Sequence, residues 1–102
     1  MKLLTKDLEK RIPPLYSQEN NPDPTVVVKF FTPTSNWTWY ATEGARQEDG
    51  DFLFFGLVKG FEEELGYFSL RELESVKGPL GLGIERDIYF DPKPLSAVRR
   101  AA

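Results

Sequence analysis

The spacing of apolar positions changes period along the chain, from helical to extended and back to helical. Leu8 and Ile12 share a helical face at i, i+4, Thr5 stands where an N-cap belongs, and Pro13-Pro14 stops the helix. Residues 17–24, SQENNPDP, carry no periodic apolar position and read as a loop. From Val26 the pattern becomes extended. VVVKFF is β-branched and aromatic and is stopped by Pro33; after the turn PTSN, WTWYAT returns as a second strand of an antiparallel hairpin. A turn at 45–51 leads into FLFFGLVKGF, a third strand in which Gly56 marks a bulge or a close backbone approach. The run Glu62-Glu63-Glu64 reads as an acidic turn, and LGYFS as a short fourth strand.

The helical period then resumes with the best local signal in the chain. Ser69 followed by Glu72 is a capping box, Phe68 and Leu73 occupy the positions of a hydrophobic staple, and Leu70, Leu73 and Val76 form the buried face. Gly78-Pro79 ends that helix. The remainder is punctuated by Gly and Pro, with an extended piece at 86–90 and a final helix in LSAVRRAA. These elements predict an α+β fold within a single domain, residues 1–102. A small curled antiparallel meander of about four strands would be packed by an N-terminal helix and a helix near residues 69–77.

Composition narrows the chemistry. At 40% hydrophobic and 14% aromatic, the chain can fill one core, and most of its rings must serve that core. There is no cysteine, hence no disulfide and no thiolate nucleophile. There is no histidine either, which removes the usual general base near neutral pH and the commonest metal ligand. The net charge of −3 gives no overall attraction to phosphates and disfavours a nucleic-acid partner. The charged start MKLLTKDLEK is no secretory signal, and no stretch approaches the ~20 apolar residues of a span. A cytoplasmic setting with no membrane partner is expected.

Which residues are left to recognise something? Alternation puts Trp37, Trp39 and Ala41 on one face of the hairpin and Thr38, Tyr40 and Thr42 on the other. Lys29 shares a face with Phe31 on the opposing strand, so Lys29 and Tyr40 form a surface suited to stacking. Large rings favour burial for the tryptophan pair, yet the pattern leaves open whether Trp37 and Trp39 are core or surface. Glu43 falls at a strand end, and Glu85 and Asp87 flank Arg86 in IERD. Two or three carboxylates can hold Mg²⁺, but this spacing matches no metal loop, and an arginine between acids favours ion pairs. No metal or cofactor is therefore expected. GPLGLG lacks the ending of a phosphate-binding loop and is discounted as one.

The segments VVKFFTP, TWYATE, FFGLV, ELGYFSLRELESVKGPLGLGIERDIYF and KPLS carry a resemblance over nearly the whole chain. They resemble a bacterial family catalogued only as a domain of unknown function, number twenty-nine fifty-eight, of small proteins carried on plasmids, integrative elements and prophages. Its motif positions would be Lys29, Phe31, Thr38, Trp39, Glu43, Gly66, Tyr67, Glu85, Arg86 and Asp87, whereas Gly83 departs from the proline expected in many relatives. The resemblance implies a setting and no activity.

Three functions from different classes follow. The leading one is a non-catalytic protein-interaction module with a host or element-encoded protein partner, binding through a patch drawn from Lys29, Trp37, Trp39, Tyr40, Glu43, Glu85, Arg86 and Asp87. The alternative is a single-stranded nucleic-acid binder using Lys29, Trp37, Trp39 and Tyr40. The third is a carboxylate-dependent hydrolase or nuclease built on Glu43, Glu85 and Asp87. Oligomeric state is not specified by the pattern.

Overall fold

A computed structural model describes residues 1–101. Along the chain run α1 (Lys6–Arg11), β1 (Thr25–Val26), β2 (Val28–Phe31), β3 (Thr38–Arg46), β4 (Phe52–Lys59), β5 (Glu63–Ser69), α2 (Leu70–Ser75), β6 (Glu85–Arg86), β7 (Lys93–Pro94) and α3 (Leu95–Arg100). The main sheet is antiparallel in the order β5-β4-β3-β2-β6, and β1 pairs with β7 in a separate two-stranded ribbon. The α+β class with a meander at its centre therefore holds.

The local differences have identifiable causes. The expected strand from Val26 to Phe31 breaks at Val27, because β1 peels away to join β7 while β2 stays with β3. Glu63 and Glu64 belong to β5, so the turn before it is tighter than the acidic run suggested. Glu85 and Arg86 pair with Phe31 and Phe30, adding a fifth strand where a short tail piece was expected. α2 ends at Ser75, and Val76 lies beyond it as an exposed C-cap rather than on the buried face.

Both sides of the sheet are packed. On the first face, Phe54 sits at the centre of a ring cluster, edge-on to Phe30 at 5.4 Å and stacked on Phe68 at 5.3 Å. Leu3, Leu4, Leu8 and Ile12 from the N-terminal segment, Leu73 from α2 and Ile84 close over it. Full burial of one such phenylalanine contributes roughly 1.5–3 kcal/mol. On the second face Val26, Leu57, Leu95 and Val98 form a smaller core, flanked by Tyr40 and Phe90. A wholly open sheet face does not exist; free surface remains only beside these covers.

Helix ends are fixed by side chains from near and far. Thr5 Oγ1 accepts from the Leu8 amide at 3.1 Å, and Ser69 Oγ accepts from the Glu72 amide at 3.1 Å. Asp51 adds a second acceptor at α2, taking the Arg71 amide at 3.1 Å. α3 begins at Pro94, which supplies no side-chain cap. Asp23 serves instead, accepting from the Ser96 amide at 2.9 Å and from its hydroxyl at 2.6 Å.

Register changes once, at Thr42. Ala41 faces Gly56 and Glu43 faces Phe55, so Thr42 is an extra residue in β3. Gly56 makes this possible: a Cβ there would lie 1.8 Å from the Tyr40 carbonyl oxygen. Beyond the bulge the parity of β3 is reversed, and Glu43 points to the second face rather than following Ala41 onto the first.

Candidate functional site

The two tryptophans stand at one end of the first face. Trp39 is half-buried against the main core, and Trp37 precedes β3 and is 36% exposed. Their rings stack at 6.0 Å with 28° between planes, and Phe61 meets Trp37 edge-on at 5.9 Å. Trp37 lies over Gly60, where a Cβ would come within 2.3 Å of the indole. The segment after α2 forms the facing wall. Val76, Pro79 and Leu82 line a groove of about 390 Å³ with the tryptophans, and Thr32, Thr34 and Ser35 give it a polar lip. Leu80 projects from the same segment in the left-handed region at φ 63°, a conformation that costs a non-glycine residue about 1–2 kcal/mol. Leu80 and Phe61 are each 96% exposed. The Trp pair is thus neither plug nor free platform: its inner edges serve the core and its outer edges line a groove.

Lys29 and Tyr40 do meet, on the second face, as directly paired residues of β2 and β3. The Lys29 ammonium lies 5.7 Å from the Tyr40 ring centre and 3.8 Å from Asp87 Oδ2. Lys59 approaches the same ring at 5.6 Å, and Phe90, with Lys93 above it at 5.2 Å, packs at 6.2 Å from Tyr40. Successive residues of a strand point to opposite sides, so Trp39 and Tyr40 cannot share a surface. The four residues of the nucleic-acid alternative are divided between two faces.

Glu43 is buried, with 4% of its surface exposed. Its two carboxylate oxygens accept from the Tyr16 amide at 2.9 Å and the Gln18 amide at 2.7 Å. The carboxylate thereby pins the loop after α1, in which Tyr16 adopts a left-handed φ of 70°. Arg86 is also committed: its Nη1 donates to the Lys2 and Leu3 carbonyl oxygens at 2.9 and 3.2 Å, clamping the N-terminal segment. Glu85 lines a separate cavity with Met1, Leu3 and Glu74. Glu43, Glu85 and Asp87 line different cavities. Among the described residues, no group of three or more His, Cys, Asp or Glu side chains could hold a metal ion.

The pattern along the chain missed Leu82 in the groove, Phe61 against Trp37 and the exposed Leu80 in the segment after α2. A phenylalanine between glycine and an acidic run was one available signal. The other was GPLGLG itself, in which the leucines are exposed while the glycines drew attention. Tyr16 and Glu19, which line a cleft with Glu43, sit in a stretch with no periodicity to mark them.

No helix among the described residues is long and apolar enough to cross a membrane. No curated protein and no solved structure matches the chain. Residues 3–102 do match a family, and the chain belongs to it: Protein of unknown function (DUF2958).

Proposed function

We propose that the protein is a non-catalytic interaction module that docks a protein segment bearing apolar side chains in the groove beside Trp37 and Trp39. The observation that carries this reading is the apolar groove in which Val76, Pro79 and Leu82 line one side and the stacked tryptophans the other, with Phe61, 96% exposed, edge-on to Trp37 at its margin. Apolar side chains held in water at the mouth of an aromatic groove gain most when a partner covers them. The hydroxyls of Thr32, Thr34 and Ser35 offer hydrogen bonds at its rim. The mobile-element setting implied by the resemblance would make that partner a host or element-encoded protein. The nucleic-acid reading is weaker, since the tryptophans and Lys29 lie on opposite faces and Asp87 already engages Lys29. The hydrolase reading loses its base, because both oxygens of Glu43 hold backbone amides.

Panning a displayed random-peptide library on the full chain tests the docking reading. Peptides with apolar anchors should emerge, shift the emission of Trp37 and Trp39, and bind at least ~10-fold more weakly to Leu82→Asp and Phe61→Ser. Enriched peptides that leave the emission unchanged and bind both variants normally would sink it.

A further inference from the structure

The bulge at Thr42 turns Glu43 into a cleft of about 340 Å³ on the second face, away from the tryptophan groove. Phe55 and Tyr67 form two of its walls, with ring centres 4.9 Å apart and planes at 62°. Tyr16 closes a third side, its backbone fixed by Glu43. Glu19 adds a second carboxylate to the lining. The phenol of Tyr67 is held above its ordinary value by partial desolvation, then by Tyr16 and by the negative charges of Glu43 and Glu19. The two carboxylates are the smaller contributors to that rise, and both lie close enough to act on the hydroxyl end of the ring. Among the described residues, the one cation lining the cleft is Arg99, and its Nε donates to Glu63 Oε1 at 2.7 Å. Glu19 and Glu43 are therefore in excess.

Aromatic faces carry the negative part of the ring quadrupole, and rings set at an angle can present faces or edges to one small group. Carboxylates beside such rings favour a cation, and they oppose an anion by direct repulsion. We propose that this cleft binds an organic cation, an alkylammonium or alkylguanidinium group, seated among Tyr16, Phe55 and Tyr67 and facing Glu19 and Glu43. The same chemistry is carried by a lysine or arginine side chain and by a free amine. The site stands independently of the docking groove, because it lies on the other face and uses none of the same residues.

Amide NMR titration of the full chain tests this with choline, ethylguanidinium and the uncharged tert-butyl isostere of choline. The cations should shift the amides of Gln18, Glu43 and Tyr67 saturably, leave the Trp37 indole unmoved, and bind about 10-fold more tightly than the isostere. Glu19→Gln and Tyr67→Leu should each weaken that binding by roughly three- to thirty-fold, with the rest of the spectrum unchanged. If Tyr67→Leu disturbs the fold, Tyr16→Leu in the loop replaces it. Short lysine or arginine peptides binding more tightly than choline would identify a protein side chain as the source, and the reverse a free amine. Equal binding of the isostere, no saturable shift with either cation, or unchanged affinity in the variants would overturn the assignment.

Discussion

A single buried carboxylate organises the loop between α1 and β1. Glu43 satisfies two amides that no strand or helix reaches, and charge-assisted hydrogen bonds of this kind contribute more than neutral ones. Replacing it with Gln keeps the shape but turns an NH₂ toward a backbone donor. Glu43→Gln should therefore lower stability by about 2 kcal/mol, read from the urea midpoint, and should expose the Tyr16 and Gln18 amides to exchange first. Asp23 acts similarly at longer range in sequence, supplying the cap that Pro94 cannot. Neither role was visible from the sequence: Glu43, expected at a strand end, lies inside β3, which runs on to Arg46 beyond the bulge, and an acid in a loop or a strand gives no sign of the distant amide it meets.

Among the elements, the β3–β4 pair decides where every other feature faces. Gly56 permits the bulge because the Tyr40 carbonyl occupies the space a side chain would need. Gly56→Ala should cost on the order of 3 kcal/mol in chemical denaturation. Gly66→Ala, with nothing within 4 Å of the added methyl, is the control that should change little. Gly56 as the point of a bulge or close approach was legible, as were the caps at Thr5 and Ser69 and the strands around the hairpin. What escaped was pairing between distant segments. Glu85–Arg86 becomes a strand only because β2 has a free edge, and Val27 breaks a continuous apolar run only because β7 competes for β1. Local propensity carries no record of either partner. The same gap scattered the predicted site: Lys29, Tyr40 and Asp87 converge, whereas Arg86 turns to the N-terminal segment and Glu43 to the loop.

For the molecule as a whole, packing on both faces leaves two separate concave surfaces, the tryptophan groove and the Glu43 cleft, instead of one open sheet. Their covers are held partly by aspartates whose acidities are altered. Asp23 lies below its ordinary value of 3.8 because the Ser96 hydroxyl and amide donate to it. Asp51 is also lowered: partial desolvation opposes the shift, but the Arg71 and Phe52 amides outweigh it. A carboxylate depressed in the folded state stabilises fully above its unfolded value, and that contribution disappears as pH falls through the folded one. Thermal melts should therefore show loss of stability on acidification below about pH 4, and an Asp23→Asn/Asp51→Asn double variant should show a shallower acid slope.

Thr42 behaves like a dropped stitch in the weave. The half of β3 before it and the half after it obey opposite rules of inside and outside. Excising that one residue would restore plain alternation from Ala41 to Glu43, with the carboxylate still opposite Phe55; it is the extra residue, absorbed without a partner, that lets two runs of opposite parity share one strand. Two alternating runs offset by one position, here WTWYA and EGAR, are the written trace of such a slip.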